Sequence, residues 1–309
     1  MQSALKVGLA LGSGSARGWA HVGILNALQK AGIKADIVVG TSIGALVGAS
    51  YLSGHLNQLE NWLADLTRFE TARFFKLPAA SHGLVDKARF QKFLTECVAE
   101  EDLQIADLSA AFATVATHLH SGREVWNTEG NVLEAVWTSI SLPGLFPAIK
   151  QNDRWLIDGG LVNPVPVSVC RALGADIVIA VNLNGDILGK HLQTSMPDSD
   201  IENPTLASRI SDFVSNYTGN LFNGDKKDDT PDFFDAIAAS VNITQDRITR
   251  SRMAGDPPEI LLQPRLANIG LLEFYRASEA IEAGESAVQK ALPDIRHLLG
   301  LAESDDAEN

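Results

Sequence analysis

Along the first half of the chain, short apolar runs alternate with stretches in which apolar positions recur every three or four residues, the pattern of a largely parallel α/β sheet. Residues 5–11 read as a buried strand, 19–31 as a helix, 36–40 as a short strand and 43–52 as a helix of small residues. Parallel strands present their C-terminal ends together, so the loops after the first two strands share one sheet edge. Residues 57–75 and 86–98 are helical in pattern and interrupt the strand rhythm, which makes them a cap over that edge. Residues 112–119 and 123–127 read as a hairpin about Ser121-Gly122, and 132–138 as a helix. A short strand at 155–157 runs into Asp158-Gly159-Gly160. Asn163-Pro164 has the N-cap and first-turn chemistry of a helix reaching residue 173, followed by an apolar strand at 177–183. A strand at 259–263 and an amphipathic helix at 273–292 close the fold. With no repeat or linker dividing it, the chain reads as one domain over 1–300, with an acidic insertion at 184–235 and a disordered acidic tail at 301–309.

Composition narrows the partners. The 309 residues are 45% hydrophobic and 20% charged, enough for a sizeable core and unlike a disordered chain or a disulfide miniprotein. The net charge is −13, and no basic stripe offers a footprint for nucleic acid. The acidity is peripheral: residues 184–235 carry ten acids against four bases, and the last nine residues carry four acids and no base. Such charge opposes binding to anionic membranes, so contact with a membrane surface would be transient and apolar. Residues 37–59 lack charge, but glycines and polar side chains break their apolarity, and residues 7–11 are too short for a secretory core. Cys97 and Cys170 stand alone, as buried thiols of a reducing compartment do. The expected location is the cytoplasm, peripheral at the membrane where contact occurs; the sequence leaves the oligomeric state open.

Two loops concentrate the chemistry. Gly40-Thr41-Ser42-Ile43-Gly44 is a G-x-S-x-G sequence between a predicted strand and a predicted helix, the setting of a nucleophile elbow. The turn strains Ser42 and exposes its hydroxyl, while side chains at 40 and 44 would collide with neighbouring backbone. Gly12-Ser13-Gly14-Ser15-Ala16-Arg17-Gly18 follows the first strand and turns its N–H groups toward the same edge, where they suit an anion or a tetrahedral oxyanion. Arg17 stands where a dinucleotide-binding loop needs glycine, and the Gly-Lys-Ser/Thr ending of a phosphate-binding Walker loop is missing. For a base, the order Ser, Asp, His offers Asp158 with His191 or His297, but too few residues precede Ser42 for the usual α/β-hydrolase topology. His118 and His120 alternate on one strand without a third ligand, so they read as polar-face residues. His21 reads as a packing or supporting residue that helix rotation carries away from the glycine loop.

The glycine loop with Arg17-Gly18, the early elbow, Ser139-x-Ser141-x-Pro143 running to Phe146-Pro147, and Asp158-Gly159-Gly160 together resemble a patatin-like acyl hydrolase over roughly residues 5–185. The similarity is greatest to bacterial patatin-like proteins related to neuropathy target esterase. It implies a three-layer α/β/α fold with a mainly parallel central sheet, no metal or cofactor, and a lipid or acyl ester substrate. It also implies a Ser-Asp dyad: Ser42 as nucleophile, Asp158 as general base, and the N–H groups of Gly12, Ser13 and Gly14 as oxyanion hole, with Arg17, Gly18, Gly40, Gly44, Gly159 and Gly160 supporting the loops. A carboxylate with an ordinary pKa of about 3.9 is too weak a base for serine, but burial raises it and a direct hydrogen bond lets the proton move as the C–O bond forms. Ser13 departs from the family's usual run of three glycines; a positive φ there would cost serine about 1 kcal/mol. Leu206, Ile210, Phe213, Val214, Tyr217 and Leu221 make one apolar helix face, either packed on the body or serving as a lid over an acyl-chain groove. The same dyad with an alcohol or thiol acceptor would make an acyltransferase. A non-catalytic anion sensor, or a regulatory protein with a vestigial site, would keep the loops without the chemistry.

Overall fold

A computed structural model of the chain describes residues 5–74, 87–186 and 233–301. The expected lid helix within 206–222, most of the acidic insertion, and the tail beyond Leu301 lie outside the described residues.

Five strands form the parallel body of an eight-stranded sheet: β1 (Val7–Leu11), β2 (Ile37–Thr41), β3 (Ala111–His118), and, after three antiparallel strands, β7 (Ile177–Val181) and β8 (Ile260–Leu262). The antiparallel strands are β4 (Glu124–Asn127), β5 (Ile149–Gln151) and β6 (Arg154–Asp158). Hydrogen-bonded neighbours run β5-β6-β3-β2-β1-β7-β8, with β4 also on β3. β1, β2 and β7 are buried at every position, as continuous Val/Ile/Leu-rich runs covered on both faces should be.

Alternate side chains point to opposite faces. Leu9, Leu11, Val38 and Val181 join the larger core with helices α1 (Ala20–Lys30), α2 (Ile43–Leu52), α3 (Leu56–Ala64), α5 (Lys87–Cys97) and α6 (Val132–Ile140), where α4 (Arg68–Phe74) precedes α5. Ala10, Val39, Val115 and Ala180 meet Val167 and Cys170 of α7 (Val167–Ala172) on the other face, along with Met253 of α8 (Phe233–Gly255). The last helix, α9 (Ala277–Leu299), packs against α1. The uncharged run 37–59 is divided among β2, α2 and α3, and no helix among the described residues is long and apolar enough to cross a membrane.

Several boundaries differ from the sequence expectation. The helix expected to open at Asn163-Pro164 begins at Val167, because Asn163 ties its side chain to Glu124 (2.7 Å) instead of capping. The expected cap helix 57–75 is two helices, α3 and α4. α9 continues past Pro293 because Ile295 is still fully buried on its apolar face, and packing outweighs one lost hydrogen bond. β5 and the 23-residue α8 had no counterpart in the hydrophobic pattern.

The register around β3 brings two distant loops together. β4 pairs with residues 114–117 along one edge of β3, so β2 and β6, which overlap it in register, must lie on the other edge. There β2 runs parallel until Thr41 stands opposite Val115, and β6 runs antiparallel until Asp158 stands opposite Ala116. The two strands meet end to end, and both are C-terminal ends.

Candidate active site

At the end of β2 the chain turns sharply into α2. Ser42 takes φ 56° and ψ −123°, a conformation that costs a non-glycine residue about 1–3 kcal/mol and persists only when its surroundings hold it. A Cβ at Gly40 would stand 2.3 Å from the backbone of Ala45, and one at Gly44 2.1 Å from the Leu11 carbonyl oxygen, so the elbow is too close to its neighbours for any side chain there. The Ser42 N–H donates to Ser139 Oγ (2.9 Å), which donates in turn to the Val115 carbonyl (2.6 Å). Thr41 Oγ1 donates to the Asn163 carbonyl at 2.9 Å.

The head-to-head strands bring the Asp158 carboxylate against the elbow: Ser42 Oγ donates to Asp158 Oδ2 at 2.5 Å. Asp158 Oδ1 accepts from the Gly160 N–H at 2.7 Å, the Asp158 N–H donates to the Ser141 carbonyl, and Thr117 Oγ1 donates to the Asp158 carbonyl. The Ser139-x-Ser141 block thus grips both partners, Ser42 through a hydroxyl and Asp158 through main chain. Asp158 is 1% exposed, and burial lifts its pKa from 3.8 to about 6 against the stabilising hydrogen bonds from Ser42 and Gly160. Gly159 is required by close approach rather than by φ, since a Cβ there would lie 2.1 Å from the Val115 carbonyl oxygen; one at Gly160 would lie 2.5 Å from Gln245 Nε2, the end of a side chain.

The glycine loop lies beside them. The Gly12 N–H donates to the Val181 carbonyl (3.2 Å) and the Ser13 N–H to the Pro164 carbonyl (2.8 Å), so both are committed to holding the loop. The N–H groups of Gly14, Ser15 and Ile43 have no acceptor among the described residues, and all three residues line the same cavity as Ser42. Ser13 is not in the positive-φ region; the strained residue of the loop is Ser15, at φ 51°. A Cβ on Gly18 would strike the Ile43 side chain at 2.2 Å, so this glycine admits the elbow helix.

Arg17 is 2% exposed; its Nη1 donates to Asn184 Oδ1 (2.9 Å) and its Nη2 to Asn242 Oδ1 (3.2 Å). Burial draws its pKa down to about 10, so it stays cationic at neutral pH. His21, expected to point away, instead donates its Nε2 proton to the Gly12 carbonyl at 2.8 Å, because the 3-10 turn Ser15–Trp19 brings α1 back under the loop. Fully buried, it has its pKa pushed down to about 4 and is neutral.

A cavity of about 100 Å³ opens on Ser42 and Asp158, with Trp19, Leu46, Trp62, Phe90, Leu145 and Phe146 among its mostly apolar walls. Gln245 of α8 also lines it, a residue the hydrophobic pattern missed because the buried stripe of that helix is polar. The recurrence of Asn242, Gln245, Asp246 and Thr249 at helical spacing was the available signal. His118 bonds Ser121 Oγ and stacks near His120, and neither lines the cavity. His297 sits in the last turn of α9, His191 lies outside the described residues, and Cys97 and Cys170 are buried.

The chain is similar to several known proteins. A family described as patatin-like phospholipase matches residues 9–171. An uncharacterised NTE family protein of Mycobacterium tuberculosis is 27% identical over 341 residues, covering 94% of this chain and 92% of that protein. Lysophospholipase NTE1 of Pyricularia oryzae is 32% identical over 286 residues, covering 90% of this chain and 18% of a much longer protein. Among solved structures, VipD from Legionella pneumophila aligns with 98% of this chain and 81% of its own at 13% identity and a TM-score of 0.40.

Proposed function

The chain belongs to the patatin-like phospholipase family, and we propose that it is a serine acyl hydrolase that cleaves lipid ester bonds through a Ser42–Asp158 dyad. The observation that carries this reading is the 2.5 Å hydrogen bond from a strained, cavity-facing serine to a buried carboxylate. The Asp158 carboxylate takes the Ser42 proton as Oγ attacks the ester carbon, so no free alkoxide forms. Charge developing on the carbonyl oxygen is met by the unpaired N–H groups of Gly14, Ser15 and Ile43; Gly12 and Ser13 act by fixing that loop. Asp158 returns the proton to the departing alcohol, leaving an acyl ester on Ser42. It then draws a proton from the water that attacks that ester, and passes it to Ser42 as the ester breaks. The apolar walls suit an acyl chain, and the lysophospholipase named among the relatives suggests single-chain phospholipids as substrates.

The test uses the purified chain with a p-nitrophenyl acyl ester and a lysophospholipid. Ser42→Ala and Asp158→Asn should each lower kcat by about 10³-fold or more while the thermal melt persists, and a fluorophosphonate probe should label Ser42 alone. Full turnover by folded Ser42→Ala protein would overturn the reading. An added alcohol that captures the acyl group in preference to water would make the enzyme a transferase.

A further inference from the structure

The glycine loop, the loop after β7 and α8 are joined by a buried polar relay that runs in one direction. Arg17 carries only donors, so the atom of Asn184 facing Nη1 at 2.9 Å must be the amide oxygen. That leaves Asn184 Nδ2 to donate to Gln245 Oε1 at 3.0 Å, and Ser13 Oγ donates to the same oxygen at 3.1 Å. With Oε1 occupied twice, the amide of Gln245 cannot turn over, and Nε2 is aimed away from the relay. Gln245 is 5% exposed, and among the described residues its Nε2 has no acceptor, although the residue lines the cavity. The space a Gly160 side chain would fill is bounded by Gln245 Nε2 at 2.5 Å, Asp158 Oδ1 at 2.9 Å and Ser13 Oγ at 3.1 Å. The unpaired donor and the dyad carboxylate therefore face the same gap.

We propose that Gln245 is a specificity-determining residue whose Nε2–H binds a hydroxyl or ether oxygen on the alcohol side of the substrate, with Arg17 and Asn184 as positioning residues that fix the direction of its amide. The inference rests on the acyl hydrolase reading for the alcohol side: a carboxylate that returns the proton to the leaving oxygen has the alcohol beside it. A donor held in a mostly apolar cavity with no protein acceptor discriminates, because a substrate without an oxygen there leaves it unpaired. The ligand class this selects is a glycerol-type ester rather than an ester of a plain alkyl alcohol.

The test compares 1-monooctanoylglycerol with propyl octanoate, which share the acyl chain and alcohol carbon skeleton but differ in two hydroxyls. Binding of each is measured on Ser42→Ala protein, so the result does not depend on turnover. The parent should prefer the glycerol ester, and Gln245→Leu should lower that preference about 3- to 10-fold. Asn184→Asp supplies a second route without removing the glutamine. The new carboxylate pairs with Arg17 and offers only acceptors to Gln245, so the amide turns over and presents its oxygen to the cavity. A hydroxyl can still donate to that oxygen, so this variant is read with an ether, which only accepts: the parent should prefer 2-methoxyethyl octanoate to butyl octanoate, and Asn184→Asp should lose that preference in a protein whose melt shows it folded. Gln245→Leu with the parent's preference for the glycerol ester within twofold would overturn the proposal, and Asn184→Asp with an unchanged preference for the ether would overturn the positioning role of the relay. Wild-type protein that binds with preference but cleaves neither ester would leave this inference standing and remove the hydrolase reading.

Discussion

Asp158→Asn should stabilise the folded protein at alkaline pH while ending turnover. The wild-type carboxyl is lifted to about 6 by burial, whereas it ionises near 3.8 when exposed. Between those values the folded state keeps a proton that the unfolded chain has released. Stability from this group is therefore full below the unfolded pKa and falls as pH rises through the folded one. A shift of about two units corresponds to ~3 kcal/mol, of which roughly half develops between pH 5 and pH 8. Asparagine retains an acceptor for the Gly160 N–H and can donate to Ser42 Oγ, so the variant loses the titration without losing either bond. His21 acts in the opposite sense: with its pKa pushed down to about 4, stability is lost as pH falls below the ordinary histidine range. That contribution is common to both proteins and cancels in their difference. Urea melts of the two proteins at a series of pH values should show the variant gaining about 1–2 kcal/mol on the wild type from pH 5 to pH 8. A difference that stays flat, or that moves against the variant as pH rises, would refute the claim that folding buries a charged base at this position.

In the proposed mechanism the same carboxyl sets the acid limb of catalysis: kcat/KM should fall about tenfold per pH unit below about pH 6, and a profile still level at pH 4.5 would rule out a buried base. Ser139→Ala leaves the Ser42 N–H without its acceptor and the Val115 carbonyl without its donor; a stability loss of about 1–3 kcal/mol with a parallel fall in kcat is expected from denaturant melts and ester assays, and unchanged kcat would show that the elbow holds itself. Gly44→Ala places a Cβ 2.1 Å from the Leu11 carbonyl oxygen, so it should cost about 1–3 kcal/mol in a chemical melt, and a change under about 0.5 kcal/mol would mean that α2 slides to accommodate the methyl.

The parallel body was legible because its strands are buried on both faces and read as uninterrupted apolar runs, while α1 and α2 switch to helical spacing at recognisable turns. The elbow was visible in the glycines flanking Ser42 between such elements. Elements whose stability is not hydrophobic were invisible: β5 has three residues, and α8 buries Gln245, Asp246 and Thr249 rather than an apolar stripe. Where an individual N–H points was also beyond the pattern. The loop residues are adjacent in sequence, yet Gly12 and Ser13 donate inward while Gly14 does not, a distinction fixed by the carbonyls of Val181 and Pro164 far along the chain. The same long-range origin hid the role of His21, since Gly12 and the α1 face meet only after the 3-10 turn.

The absence of a histidine from the proposed dyad has a geometric reason. β2 and β6 share one edge of β3 and stop against each other, Thr41 opposite Val115 and Asp158 opposite the next residue, Ala116. The hydroxyl and carboxylate at their ends are 2.5 Å apart, and an imidazole cannot be inserted between groups already in hydrogen-bond contact. What histidine usually supplies is basicity near neutral pH, and here burial of the carboxylate supplies it instead, to about 6. His21, the one buried histidine beside the loop among the described residues, is disqualified by the same physics: burial lowers the basicity of a neutral base as it raises that of an anion, so its pKa falls to about 4 and it is left to hold the Gly12 carbonyl. Letting water reach Asp158 would weaken the base even with the 2.5 Å contact intact, so in the proposed mechanism the apolar walls act on the chemistry as directly as Ser42 and Asp158 do.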